Sequence, residues 1–186
     1  IVIQPDAQPG DIRFVDANDD GEITSEGDRQ FQGSGMPKVN MGFNLCCAYK
    51  GFDLNVNLTG AFGQVIYNGP RYLIEQNYGY DNFSTRLLDA FDLATNPNSD
   101  FPRLNPDDVD ENWNSRPTSV RYIEDGDYVK LRNVELGYSL PCKILNNVSM
   151  SSARVFARVQ NLVNITGYTG SDPEVGSSPI VDDDPI

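Results

Sequence analysis

VNMGFNLCCAYKGFDLNVNLTGAF, residues 39–62, alternates apolar and polar side chains through two arms that meet at Lys50-Gly51. Val39, Met41, Phe43, Leu45, Cys47 and Tyr49 share one face of the first arm, with Asn40, Gly42, Asn44 and Ala48 opposite. The second arm repeats the pattern, Phe52, Leu54, Val56, Leu58 and Phe62 against Asp53, Asn55, Asn57 and Thr59. A period of two is what an extended strand shows when one face meets an apolar medium and the other water. The pair predicts a β-hairpin in which glycine supplies the positive φ of a two-residue turn. Arms of about ten residues also match a membrane-spanning barrel strand, which needs about 9–11.

Two further strands follow the same logic. One runs from Tyr128 to about Leu140, with Val129 and Leu131 on one parity and Val134, Leu136, Tyr138 and Leu140 on the other. That change of phase at Arg132-Asn133 predicts a bulge or a change of environment. The other, Val155–Ile165, sets Val155, Ala157, Val159, Val163 and Ile165 against Arg154, Arg158, Gln160 and Asn164. The connections are unequal: a tight turn and the modest PCKILNNVSMSS at one end, the long stretch 63–123 at the other. A short helix is expected near Thr85–Leu93, and most of the rest of that stretch reads as irregular. Short turns opposite long loops is the layout of outer-membrane barrels. Tyr49, Phe52 and Tyr138 would then sit at the short-turn rim. Four strands cannot close such a barrel, so the strands belong either to a longer chain or to a soluble sheet. The opening IVIQPDAQPG and the closing DDDPI read as cut from something longer.

Composition narrows the classes. The 186 residues are 39% hydrophobic with a net charge of −13, and the mean hydropathy is −0.44. No apolar run approaches the roughly 20 residues of a membrane helix, which leaves alternating barrel strands untouched. The acidic balance argues against nucleic acid, which needs a basic footprint. The chain holds no histidine, the commonest general base and metal ligand. No nucleophile–base pair can be assembled, and the chain reads as a non-enzyme. Cys46, Cys47 and Cys142 show no framework spacing and read as small apolar fillers.

Residues 10–35 carry an acidic loop whose DANDDGEI, Asp16–Ile23, fits the first eight positions of a calcium loop. Asp16, Asn18 and Asp20 would offer oxygens at positions 1, 3 and 5, Gly21 the sharp turn, and Glu22 its carbonyl. Position 12 is Gly27 instead of glutamate, so Asp28 is the expected closing carboxylate. The alternative is a metal-free acidic turn. Within 63–123, Tyr67, Tyr72, Tyr78, Tyr80 and Trp113 are available to stack on a substrate or partner.

Four motifs resemble one family in order and spacing: GDIRFVDANDDGEI, VNMGFNLCCAYKGFDLNVNLTGAFG, RYIEDGDYVKLRNVELGYSLP and ARVFARVQNLVNITGYTGSDPEV. They are similar to the C-terminal barrel part of the SusC/RagA TonB-linked outer-membrane transporters of Bacteroidetes. The resemblance spans about Gly10 to Val175. It implies an all-β fold, antiparallel strands forming part of a large 22-strand transmembrane β-barrel with long extracellular loops. Residues 1–186 would be a fragment of that barrel, with the plug domain and final strand outside it. It further implies opening by TonB–ExbB–ExbD, a SusD-like surface lipoprotein, an oligosaccharide or peptide substrate, contact with outer-membrane lipid, and a bacterial outer-membrane location. Asp16, Asn18, Asp20 and Asp28 match the family's acidic loop, and 63–123 would be extracellular. The competing reading is a soluble, calcium-stabilised β-module that binds carbohydrate.

Overall fold

The computed structural model describes residues 4, 7–24, 26–75, 82–104, 114, 119–145 and 150–174. Strand β1, Val39–Tyr49, turns at Lys50-Gly51 into β2, Phe52–Phe62. Both turn residues have positive φ, 48° and 89°, the twist that matches the right-handed coil of the flanking strands. Short β3 (Val65–Tyr67), helix α1 (Gly69–Glu75), 3₁₀ turns at Thr85–Asp89 and Val120–Tyr122, and β4 (Ile123–Asp125) follow. Strand β5 is Tyr128–Ser139, α2 is Cys142–Leu145, and β6 is Arg154–Thr166. β3 pairs with β4, while β1, β2, β5 and β6 form one antiparallel sheet in that order. The fold is therefore mainly antiparallel β, as the alternation implied, and the four strands do not close.

The register lines up apolar residues of all four strands on common rungs. The five apolar rungs are Tyr49–Phe52–Tyr138–Val155, Cys47–Leu54–Leu136–Ala157, Leu45–Val56–Val134–Val159, Phe43–Leu58–Leu131–Val163 and Met41–Gly60–Val129–Ile165. Polar rungs lie between them, among them Cys46–Asn55–Glu135–Arg158 and Asn44–Asn57–Asn133–Gln160. Register shifts at Asn57/Leu58 and Leu131/Asn133 keep this order. Going from the Leu131 rung to the Val134 rung takes two residue steps on β2, three on β5 and four on β6, where Asn161 adopts φ 50°. Arg132 is the extra residue of β5. The phase change in the sequence is this bulge, and it restores Leu131 to the face of Val134.

Among the described residues nothing covers the apolar face. Its large side chains on β1 and β6 are exposed, from 40% at Leu45 to 71% at Tyr49, while Leu54, Val56, Leu58, Leu131 and Val134 on the inner strands are half-buried. Five rungs across four strands amount to roughly 600 Å² of continuous apolar surface at ordinary strand spacings. That exceeds the few hundred Å² a soluble monomer usually shows. The buried apolar residues are few, among them Ala61, Ile66, Phe101 and Tyr122.

The described chain divides into two compact units. One contains the four-stranded sheet, Ser34–Ile66 and Glu124–Gly176. The other contains the described parts of Ile1–Gly33 and Tyr67–Ile123. The expected helix near Thr85–Leu93 is a single 3₁₀ turn, Thr85–Asp89, capped by the Ser84 hydroxyl on Arg86 N–H. The α-helix lies earlier, at Gly69–Glu75, where the Asn68 side chain accepts the Arg71 N–H at 3.0 Å.

Candidate functional site

The acidic loop folds onto its own backbone. Asp16 accepts N–H bonds from Gly21 at 2.8 Å and Asp20 at 3.3 Å. Asn18 Oδ1 accepts from Asp20 N–H, its Nδ2 donates to Asp20 Oδ2 at 2.7 Å, and Asp20 Oδ1 accepts from Glu22 N–H. Positive φ at Asp19 (60°) and Gly21 (88°) makes the sharp turn. Asp28, the expected closing carboxylate, accepts N–H bonds from Thr24 and Ala17 at 2.7 Å each. Those two bonds, Thr24 first, hold its carboxyl below the ordinary aspartate value. Glu22 is exposed. Among the described residues no three His, Cys, Asp or Glu side chains converge on one point. The carboxylates in hand are those of a self-capped turn, so a cation would have to draw them from N–H groups.

Of the aromatic candidates, Tyr78, Tyr80 and Trp113 lie outside the described residues. Tyr67 and Tyr72 are half-buried and pack edge-on against Tyr122, with centroids 6.3 and 5.3 Å away. Their rings are thus spent on an internal cluster around Tyr122, which is 1% exposed. Burial, with Tyr122 beside it, pushes the Tyr67 hydroxyl up to about 12.

Next to this cluster stands a group that the sequence reading missed. The Glu75 carboxylate, 1% exposed, receives Arg71 at 2.9 Å, Arg86 at 2.5 Å and Arg121 at 3.1 Å. The Arg121 guanidinium also lies 4.2 Å from the Phe101 ring centre. The signal was present in the sequence: an Asn68 cap, Pro70 in the first turn and an Arg71–Glu75 pair four apart. A cavity of about 590 Å³ opens here, bounded by the three arginines and by Asp89, Asp100 and Ser119. Nearby, Arg103 grips Asp11 through Nε and Nη2 at 2.5 and 3.1 Å. Asn114 donates to the same carboxylate and accepts the Ile12 N–H, both at 2.7 Å. Burial works to raise the Asp11 carboxyl, but Arg103, the Gln8 N–H and Asn114 outweigh it and leave it lowered.

The polar face of the sheet carries two charge arrays. Arg154 joins Asp53 and Glu135, and Arg158 joins Glu135 at 2.6 Å. Gly137 leaves room for this crossing, since a Cβ there would lie 2.6 Å from the Asp53 carboxylate. At the other end the segment after β6 returns over the face. Lys130 Nζ reaches Asp172 and Glu174 at 2.7 Å each, and Arg132 and the Tyr128 hydroxyl also meet Glu174. Lys130 is left 4% exposed.

No protein-family model matches the chain. It is 38% identical over 169 residues to TonB-dependent receptor P3 of Formosa agariphila, covering 91% of this chain and 16% of that protein. TonB-dependent receptor SusC of Bacteroides thetaiotaomicron is 27% identical over 182 residues, covering 95% of this chain and 16% of the relative. Among solved structures, the RagAB peptide transporter superposes with a TM-score of 0.69 at 26% identity, over 84% of this chain and 16% of that one. The chain thus spans about one sixth of the length of the curated relatives it matches.

Proposed function

We propose, on the premise that this chain belongs to the SusC-type TonB-dependent receptors as a segment of their barrel, that it forms part of the wall of an outer-membrane nutrient transporter. The observation that carries this is the two-faced sheet: apolar rungs that run across all four strands, exposed on the outer strands and half-buried on most of the inner positions, backed by a mainly polar face. In a barrel wall the first face meets lipid and the second meets the lumen. Five apolar rungs measure about 27 Å along a strand, or about 20 Å of height at a tilt near 40°, most of a barrel's ~25 Å apolar band. A soluble carbohydrate module would instead leave this surface in water. Tyr49, Phe52 and Tyr138, with Phe52 and Tyr138 rings 4.5 Å apart, would make the aromatic girdle of the periplasmic rim. Residues 63–123 would face outward.

In this reading the complete receptor imports an oligosaccharide or a peptide, with a SusD-like lipoprotein over its mouth and TonB–ExbB–ExbD supplying energy. The RagAB structure that the chain resembles is a peptide transporter, which keeps peptide beside glycan as the cargo class. The Asp16–Asp28 loop enters as a proposed calcium-type loop on its ligand spacing alone. The test is fractionation of the full-length receptor. It should sediment with outer membranes, need detergent for extraction, and co-purify with a lipoprotein. Recovery as a soluble protein without detergent refutes the reading.

A further inference from the structure

The cavity beside Glu75 gathers three of the few basic residues of a chain of net charge −13. Three guanidiniums share one carboxylate. A guanidinium has five N–H donors, and among the described residues the Arg86 and Arg121 side chains each donate only one hydrogen bond, to Glu75. Both line the cavity, so their remaining donors border open space. Asp89 and Asp100 also line it and form no ion pair among the described residues, so the lining sets free carboxylates beside the open donors of Arg86 and Arg121. Arg121 is held in place by Phe101 under its plane and Glu75 at its edge, a rigid fork instead of a mobile surface charge. A guanidinium fork matches the planar, two-oxygen geometry of a carboxylate. A cavity of about 590 Å³ falls within the roughly 300–1,000 Å³ of small-molecule sites.

We infer that this cavity is a carboxylate-binding pocket, in which Arg86 and Arg121 hold an anionic group of the ligand while Asp89, Asp100 and Ser119 accept hydrogen bonds from its hydroxyl or N–H groups. The inference rests on the transporter reading and narrows its cargo to a ligand that carries a carboxylate. Two sources offer that group, a uronic-acid oligosaccharide and an acidic peptide.

The experiment is calorimetric titration of the detergent-purified, full-length receptor with tri-galacturonate, tri-glutamate and the neutral control maltotriose. At least one carboxylated probe should bind, weaken as salt is raised, and lose about tenfold in affinity in Arg86→Gln, the loss of one charge-assisted contact. Asp89→Asn, which keeps an acceptor oxygen for the ligand but removes a charge of the same sign as its carboxylate, should tighten the same probe severalfold. The probe that responds names the source, and equal response by both means that the carboxylate alone is read. Equal binding of maltotriose, or no change in either variant, overturns the pocket. Such a failure in a receptor that still fractionates with outer membranes leaves the transporter reading standing.

Discussion

Replacing Glu75 by Gln should release helix α1 while leaving the sheet intact. The helix has seven residues, well below the roughly 12–15 that hold helical structure unaided in water, so its order comes from what it packs and pairs with. Glu75 alone accepts three arginines while 1% exposed. Removing one partner of a buried ion pair costs about 3–5 kcal/mol. Arg86 is 51% exposed and can return to water, which brings the expected loss to about 2–4 kcal/mol. At about 1.4 kcal/mol per decade, that is a roughly 30- to 1,000-fold rise in local opening. Hydrogen exchange on the full-length receptor reads it directly at the Tyr72 amide, which bonds to Asn68 O at 3.0 Å. Exchange at β2 amides should not move, because α1 and the sheet belong to different units. A change below threefold at Tyr72, or equal deprotection in β2, refutes the assignment of the helix's order to this carboxylate.

Four further outcomes are expected. The Asp11 carboxyl is lowered in the fold, so its contribution is complete above the ordinary value of 3.8 and is lost as pH falls below it; proteolysis between 10 and 12 should be flat from neutrality to about pH 4 and rise beneath. Val134→Arg, in the middle apolar rung, should cost about 2–4 kcal/mol of barrel stability in denaturant unfolding, whereas Asn55→Arg on the polar face should cost far less. Gly60→Ala puts a Cβ 2.9 Å from the Tyr128 carbonyl and should cost about 1–3 kcal/mol by displacing backbone. Calcium should raise the melting temperature of the full-length receptor and Asp16→Ala should abolish the rise; identical melting in calcium and in chelator would leave the acidic loop as a hydrogen-bonded turn alone.

The strands were legible because alternation is a local signal with one physical cause. Residues 39–62 carry it without interruption, and the Lys50-Gly51 turn follows from the twist it must match. Even the bulge showed itself, as a slip of parity at Arg132-Asn133. What the sequence concealed depends on distance along the chain. Glu75 meets Arg86 and Arg121 across 11 and 46 positions, and no periodicity marks such a meeting. Tyr67 and Tyr72 looked available because composition cannot reveal that Tyr122 stands between them. Asp28 was read from ligand spacing, whereas the partners it has in the fold are the N–H groups of Ala17 and Thr24.

The bulge in β5 bears on how densely a barrel can line its channel. A strictly alternating strand presents one inward residue about every 6.7 Å. By inserting Arg132, β5 sets Lys130, Arg132 and Asn133 on the same side within four consecutive residues, Arg132 reaching Thr59 and Glu174 while Lys130 reaches Asp172. Without the extra residue Lys130 would share the parity of Val134 and fall on the apolar face of the sheet. One inserted residue therefore concentrates charge at a single depth of the lining without adding a strand to the wall.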